Sequence, residues 1–373
     1  MRLRVLHVAQ PTTGGVGHYL ASLVADQCSR GWDVTVACPP DGRLPHDALA
    51  AGASVLDWPA TRAPGPSVGK EALALKRMIN SKSPALVHLH SSKAGLAGRL
   101  VLRGRQPTLF QPHGWSWLAV DGVVATASRS WERLGARWCD RVVCVSEADR
   151  QVGVAAGIRA DFAVIRTGAD LERFHPAPSG AQASARARLG QAPGPLAVCV
   201  GRLTPAKGQD LLAAAWPLVR AAVPAARLAI VGDGEMESTV SAAAGDGVEL
   251  VGPTHDPAEW YAAADVVVVP SRWDALSLVL VEAAASGCCV IATDVPGARE
   301  VIGAGERGAL VPPGDLHALA AAVAARLGDA TLARAEGQAL AAHARTEFDI
   351  RHTHDQLAEL SERVSRRPGG GHG

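Results

Sequence analysis

Arg4-Val5-Leu6-His7-Val8-Ala9, then Gln10-Pro11-Thr12-Thr13-Gly14-Gly15-Val16-Gly17-His18, then Tyr19-Leu20, is the stretch that decides the fold. A short β-branched and leucine-rich run, a glycine-rich turn and a segment of helical period make the first half of a βαβ unit. The spacing predicts a helix that begins at Tyr19-Leu20. Glycines in the turn let backbone N–H groups approach an anion at a helix N-terminus, where the dipole adds to the attraction. The dinucleotide fingerprint is broken, because Leu20 occupies its third glycine position and the second strand ends in Cys38-Pro39 without an acidic residue. At Gly14 and Gly15 both a plain tight turn and a phosphate or sugar contact stay open.

Outward from this stretch, short apolar runs alternate with alanine-rich helical segments, the signature of parallel α/β sheets. The first block predicts strands at 4–9, 33–38, 86–90, 108–111, 141–145 and 163–165. A second block starts afresh at 195–201 and continues through 227–231, 248–251, 266–270, 289–293 and 308–311. Between them His175-Pro176-Ala177-Pro178-Ser179-Gly180 has linker composition, which puts a hinge near 170–178. The expected organisation is an α/β chain of two doubly wound, Rossmann-like domains. They span 1–172 and 178–346, with a disordered tail over 366–373. Two such sheets are expected to face a cleft, with ligands outside the carboxyl ends of the strands.

A length of 373 residues suits two cores at about 100–200 residues each. A formal net charge of +1 offers no broad field for nucleic acid, so any phosphate must be met by a few placed cations. Cys28, Cys38, Cys139, Cys144, Cys199, Cys288 and Cys289 form no C-x-x-C pair and read as buried thiols of a reducing, cytoplasmic compartment. The basic start is too short for a signal peptide, and no apolar stretch reaches the ~18 residues of a membrane span. The expectation is a cytoplasmic protein, with peripheral contact at the inner membrane face left open.

The second block opens with Val200-Gly201-Arg202-Leu203-Thr204-Pro205-Ala206-Lys207-Gly208. Arg202 offers a planar fork and Lys207 a compact charge, and their spacing predicts convergence on one diphosphate without a metal. The third loop, Pro270-Ser271-Arg272-Trp273-Asp274-Ala275-Leu276-Ser277-Leu278, leads into a helix that carries Glu282. Carboxylates at Asp274 and Glu282 accept from hydroxyls, and the amides of Leu276, Ser277 and Leu278 donate, which suits a sugar. A glycosidase acid and base pair is the other use of two carboxylates, but such enzymes need no adjoining diphosphate clamp.

His88 and His90 share a strand face, and no third metal ligand is evident from sequence. His113 at a strand end reads as a donor aimed into the cleft. No D-x-D is present to clamp a diphosphate through a divalent ion, and no G-x-S-x-G, P-loop or H-E-x-x-H supports serine hydrolase, NTPase or zinc protease chemistry. His352-Thr353-His354-Asp355 reads as a solvated helix face, and Trp115 and Trp117 as candidate apolar surface or as core.

Together these loops resemble the retaining GT-B glycosyltransferases of family 4 over nearly the whole chain. The likeness rests on Gly14-Gly15-Val16-Gly17, His113-Gly114, Val145-Ser146-Glu147 and Gly168 to Phe174. It continues through Gly201-Arg202 with Lys207-Gly208, Val231-Gly232-Asp233-Gly234, and the acidic pair spaced as E-x7-E. The resemblance implies a final helix over 349–365 that returns to the first domain. It also implies Gly14 and Gly15 at the donor phosphate, His113 beside the donor sugar, and Arg202 and Lys207 on the diphosphate. Glu282 would bind the ribose, Asp274 with Leu276, Ser277 and Leu278 the sugar hydroxyls, and the Gly252-Pro253-Thr254 segment the nucleobase. Asp274 departs from the usual glutamate and Ser277 from a common glycine, which bears on donor identity. The implied donor is a UDP- or GDP-sugar, with neither metal nor other cofactor. The implied acceptor is a glycan, a lipid-linked acceptor or a small molecule, and no nucleic acid. A GT-B epimerase or phosphorylase, a nicotinamide-dependent oxidoreductase and a non-catalytic sugar-binding module are the competing readings.

Overall fold

The computed structural model describes residues 2–61, 65–178 and 180–366. The chain divides into two compact units, residues 1–166 with 352–373, and residues 167–351. The first sheet consists of β1 (Arg4–Ala9), β2 (Asp33–Cys38), β3 (Ser54–Asp57), β4 (Leu86–His90), β5 (Thr108–Gln111), β6 (Arg141–Cys144) and β7 (Phe162–Val164). Its order is β3-β2-β1-β4-β5-β6-β7, with every pairing parallel. The second consists of β8 (Leu196–Val200), β9 (Arg227–Val231), β10 (Val248–Gly252), β11 (Val266–Val269), β12 (Cys289–Thr293) and β13 (Ala309–Val311), in the order β10-β9-β8-β11-β12-β13 and again all parallel. Each sheet therefore reverses its winding once, between β1 and β4 and between β8 and β11, and such a switch opens a crevice at the carboxyl edge.

All strands expected from the sequence are present, most within a residue at each end. The sequence reading missed β3, whose four residues pair on one side only and bury neither Ser54 nor Asp57. A Val55-Leu56 pair is too short for alternation to register. The helix after β1 begins at Gly14 rather than at Tyr19. Low helical propensity hid the first turn, but glycine is needed there, because a Cβ at Gly17 would lie 2.9 Å from the Thr12 carbonyl carbon.

The first domain ends earlier than the expected residue 172. Ala169 N–H donates to the Phe348 carbonyl at 2.8 Å, and Ile350 N–H donates to the Ala169 carbonyl at 3.0 Å. A Cβ at Gly168 would lie 2.5 Å from the Ile350 nitrogen. These contacts bind 167–174 to the second unit and move the boundary to Arg166/Thr167. The expected tail over 366–373 lies outside the described residues apart from Arg366.

The helix Ile350–Ser365 carries the chain back to the first unit, where Leu357, Leu360 and Val364 join a core with Val5, Leu20, Val34 and Leu86. The His352 to Asp355 segment is not the solvated face expected of it. His354 is 7% exposed and its Nε2 lies 3.2 Å from Ser22 Oγ, Thr353 Oγ1 donates to the Arg166 carbonyl, and Asp355 accepts from Arg30. Among the described residues no helix is long and apolar enough to cross a membrane.

Leu357 is fully buried, so Leu357→Ala should cost about 2–5 kcal/mol through a lost side chain and a residual cavity. The expected result is a lower melting transition for the first unit, with the second unit's transition unmoved in the same calorimetric scan.

Candidate functional site

At the carboxyl edge of the second sheet, the turn after β8 meets the loop after β11 at the switch point. Gly201 N–H donates to the Val231 carbonyl, and the turns beyond β8 and β9 press together at glycines. A Cβ at Gly232 would stand 2.0 Å from the Gly201 oxygen, and one at Gly234 would stand 2.4 Å from the Leu203 oxygen. A Cβ at Gly208 would reach 2.1 Å from the Pro270 oxygen. Side chains then lock the two loops. The Gln209 amide donates to the Arg202 carbonyl at 3.1 Å, and Arg272 forks onto Asp210 at 2.8 and 2.7 Å while donating to the Pro205 carbonyl at 2.9 Å.

Held in this way, Lys207 Nζ donates to Asp274 Oδ2 at 2.5 Å, with both groups partly exposed. Arg202 sits on the same turn, exposed. Leu276, Ser277 and Leu278 form the entry to the helix Leu278–Ala285, with Ser277 at the N-cap in extended conformation. Glu282 lies one turn further in and accepts from the Tyr261 hydroxyl at 3.0 Å. Burial raises its carboxyl to about 7, against smaller opposing effects of the Tyr261 bond and the Arg173 charge.

Thr254 follows β10, and its Oγ1 accepts from Asp256 N–H at 3.1 Å. Arg173 reaches the same loop, donating to the His255 carbonyl and to Asp256 Oδ1, both at 3.2 Å. Its neighbour Phe174 packs on Tyr261, with centroids 6.0 Å apart. The Gly168 to Phe174 segment thus buttresses the edge that carries Thr254 and Glu282.

Sequence reading missed Gln209, Asp210, Arg173 and Tyr261 as supports of this edge, and passed over Arg272 within a stretch it had singled out. The basic residue three positions beyond β11 was a usable signal. Its partner Asp210 was not legible, because the two meet only through the fold.

In the first unit Gly14 and Gly15 form the first turn of the helix Gly14–Ser29 after β1, and His113 follows β5. His113 adopts φ 54°, a left-handed conformation that costs a non-glycine residue on the order of 1 kcal/mol or more. Ser146 caps the helix Glu147–Ala155 by accepting Asp149 N–H at 3.0 Å. Trp115 and Trp117 are core, 1% and 6% exposed and stacked at 4.8 Å, with Trp115 Nε1 donating to the Asp149 carbonyl. The exposed apolar side chains nearby are Leu118, Val120, Val123 and Val124.

His7 is the histidine the sequence reading overlooked. It pairs in register with His88, so His7, His88 and His90 share one face of the sheet. Their ring nitrogens lie within 4.8 Å of one another, a grouping that could hold a metal ion. The arrangement is loose for a tetrahedral centre with metal–nitrogen bonds of about 2.0–2.1 Å. Both nitrogens of His7 are moreover engaged, with Gln27 and with His90.

Two doubly wound parallel units, one of which sets Lys207 against Asp274 on strand-end loops with Glu282 on the helix that follows, fit a nucleotide-sugar glycosyltransferase of the GT-B fold. Residues 13–173 match the model for Glycosyltransferase Family 4, and residues 194–329 match that for Glycosyl transferases group 1. A GDP-mannose-dependent alpha-(1-6)-phosphatidylinositol monomannoside mannosyltransferase of Mycolicibacterium smegmatis is 34% identical, over 94% of this chain and 95% of its own. The alpha-maltose-1-phosphate synthase of that organism is 31% identical, over 94% and 96%. Among solved structures, Anabaena HepE in complex with UDP and glucose shares the fold with a TM-score of 0.84 at 22% identity, over 96% of this chain and 99% of its own. Sucrose-phosphate synthase from Thermosynechococcus elongatus does so with a TM-score of 0.83 at 24% identity, over 97% and 99%. The chain belongs to glycosyltransferase family 4. That membership displaces the oxidoreductase and sugar-binding-module readings, and these relatives lend the epimerase alternative no support.

The raised Glu282 carboxyl makes stability pH-dependent. Its folded value of about 7 exceeds the unfolded value of about 4.5, so its contribution is full below pH 4.5 and is lost as pH rises through 7. Glu282→Gln removes that loss. Its melting temperature relative to the native chain should therefore rise from pH 5 to pH 8, and a difference that stays flat would contradict the burial argument.

Proposed function

We propose that the chain is a metal-independent, retaining transferase in which Arg202 and Lys207 neutralise the departing diphosphate of a UDP- or GDP-sugar. The observation that carries this reading is the meeting of Lys207 with Asp274 at the switch point between β8 and β11, a cation and a hydroxyl acceptor on adjoining loops. In the reaction the acceptor oxygen attacks the anomeric carbon on the face from which the diphosphate leaves. The carbon–oxygen bond to phosphate breaks, and the acceptor's proton passes to a phosphate oxygen. Fixed cations stabilise the charge that develops there without reorganisation at the moment of reaction.

In this reading Asp274 and the amides of Leu276, Ser277 and Leu278 hold sugar hydroxyls. Glu282 takes the ribose and Thr254 borders the base. Gly14 and Gly15 contact the donor phosphate, and His113 stands beside the donor sugar. A GDP-sugar is favoured by the mannosyltransferase likeness, and a lipid-linked acceptor by the same relative's phosphatidylinositol monomannoside substrate. Exposed Leu118, Val120, Val123 and Val124 support peripheral contact with a membrane surface.

Screening UDP- and GDP-sugars for thermal stabilisation identifies the donor, since a ligand at 100 times its Kd adds about 2.7 kcal/mol. Lys207→Ala should abolish transfer of that sugar, while EDTA leaves the native chain active. Activity lost to EDTA and restored by Mg²⁺ would overturn the metal-free mechanism.

A further inference from the structure

Beneath the helix Gly14–Ser29, three strands of the first sheet turn polar side chains into an otherwise apolar interior. His7 on β1, His90 on β4 and Gln27 on the helix are all fully buried, and His113 is half-buried at the end of β5. They form one continuous line. Gln27 Oε1 lies 2.7 Å from His7 Nε2, His7 Nδ1 lies 3.0 Å from His90 Nε2, and His90 Nδ1 lies 3.1 Å from His113 Nε2.

A neutral imidazole has one N–H and one lone pair, so each bond in such a line dictates the next. Burial keeps these rings neutral, holding His7 at about 4, His113 at about 3 and His90 well below the ordinary histidine value. An amide turned the other way would reverse every bond of the line, but the structure presents Gln27 Oε1 to His7, with the amide nitrogen buried and unpartnered among the described residues; an oxygen can only accept, and therefore His7 carries its proton on Nε2. Its Nδ1 then accepts from His90 Nε2–H, and His90 Nδ1 accepts from His113 Nε2–H. The proton of His113 is thereby used within the fold.

We propose that Gln27, His7 and His90 form a one-way hydrogen-bond chain that fixes the tautomer of His113 and leaves its Nδ1 as a lone-pair acceptor for a ligand hydroxyl. This rests on the reading above that puts His113 beside the donor sugar, and it reverses the donor role expected from sequence. Gln27, His7 and His90 are positioning residues. They touch no substrate and act only through the ring of His113. A neutral acceptor selects a sugar that presents a hydroxyl and gains nothing from phosphate, whose recognition stays with Arg202 and Lys207. The left-handed backbone of His113 fits the same role, because strain at such a position is sustained where the surroundings over-determine the side chain. The line also uses both nitrogens of His7 and of His90, which a metal at His7, His88 and His90 would have to break.

Selective ¹⁵N labelling of histidine in the native chain, with two-bond nitrogen–proton correlations assigned through His113→Gln and His90→Asn, reads each tautomer directly. The expected result is Nε2–H for His7, His90 and His113, with spectra unchanged by stoichiometric Zn²⁺. An Nδ1–H or mixed form at His113, a charged His7, or tight Zn²⁺ binding would overturn the proposal, and the Zn²⁺ titration reads the native chain without any variant. Gln27→Met should mix the tautomers at His113 and lower kcat/KM for the donor roughly tenfold, about 1.4 kcal/mol, while the Kd for the nucleoside diphosphate stays unchanged. Mixed tautomers with an unchanged kcat/KM would refute the link to the sugar. A native chain with the expected tautomers but no transfer from any nucleotide-sugar would instead refute the functional reading.

Discussion

Close backbone approach at the carboxyl edge of the second sheet is the constraint on which the site depends. Gly208 lies against the Pro270 carbonyl and Gly232 against the Gly201 carbonyl at separations no Cβ could share. Because these turns nest, the loops after β8 and β11 run near enough for Arg272 to fork onto Asp210 and for Lys207 to reach Asp274. Without side chains at those glycines, backbone takes up the space, and the charged residues beside them are aimed by main-chain geometry rather than by their own rotamers. Precision in such a site comes from the scaffold.

Burial does the second part of the work by setting protonation. Glu282 is pushed up to about 7 with the Tyr261 hydroxyl as its partner, whereas the histidines beneath the helix Gly14–Ser29 are pushed down and stay neutral. The opposite directions have one cause, since a low-dielectric surrounding penalises whichever form is charged. Lys207 and Asp274, partly open to solvent, keep the mutual attraction of an ion pair that can be shared with an incoming group.

Much of this was legible in the chain. Twelve of the strands could be placed from apolar runs bounded by turns, and the glycine-flanked Arg202 and Lys207 stood out in a sequence with few lysines. What escaped notice has physical reasons. β3 is a four-residue edge strand in which no residue is fully buried. His7 belongs with His88 only through strand register, and Arg173 lies outside the second block yet packs with it through Phe174 and Tyr261. Trp115 and Trp117 carried no signal that distinguished a core pair from a docking surface, since an indole suits both.

By itself the sequence determined the two parallel sheets and the residue types at their strand ends, because hydrophobic periodicity and glycine placement are local properties that a single chain records. Tertiary structure alone decided which charges face one another, which imidazoles line up, and where one unit ends and the next begins. Those outcomes hang on register and on contacts between residues far apart in the chain, such as Lys207 with Asp274 and Ala169 with Asp349, and no local pattern encodes a distance that only folding creates.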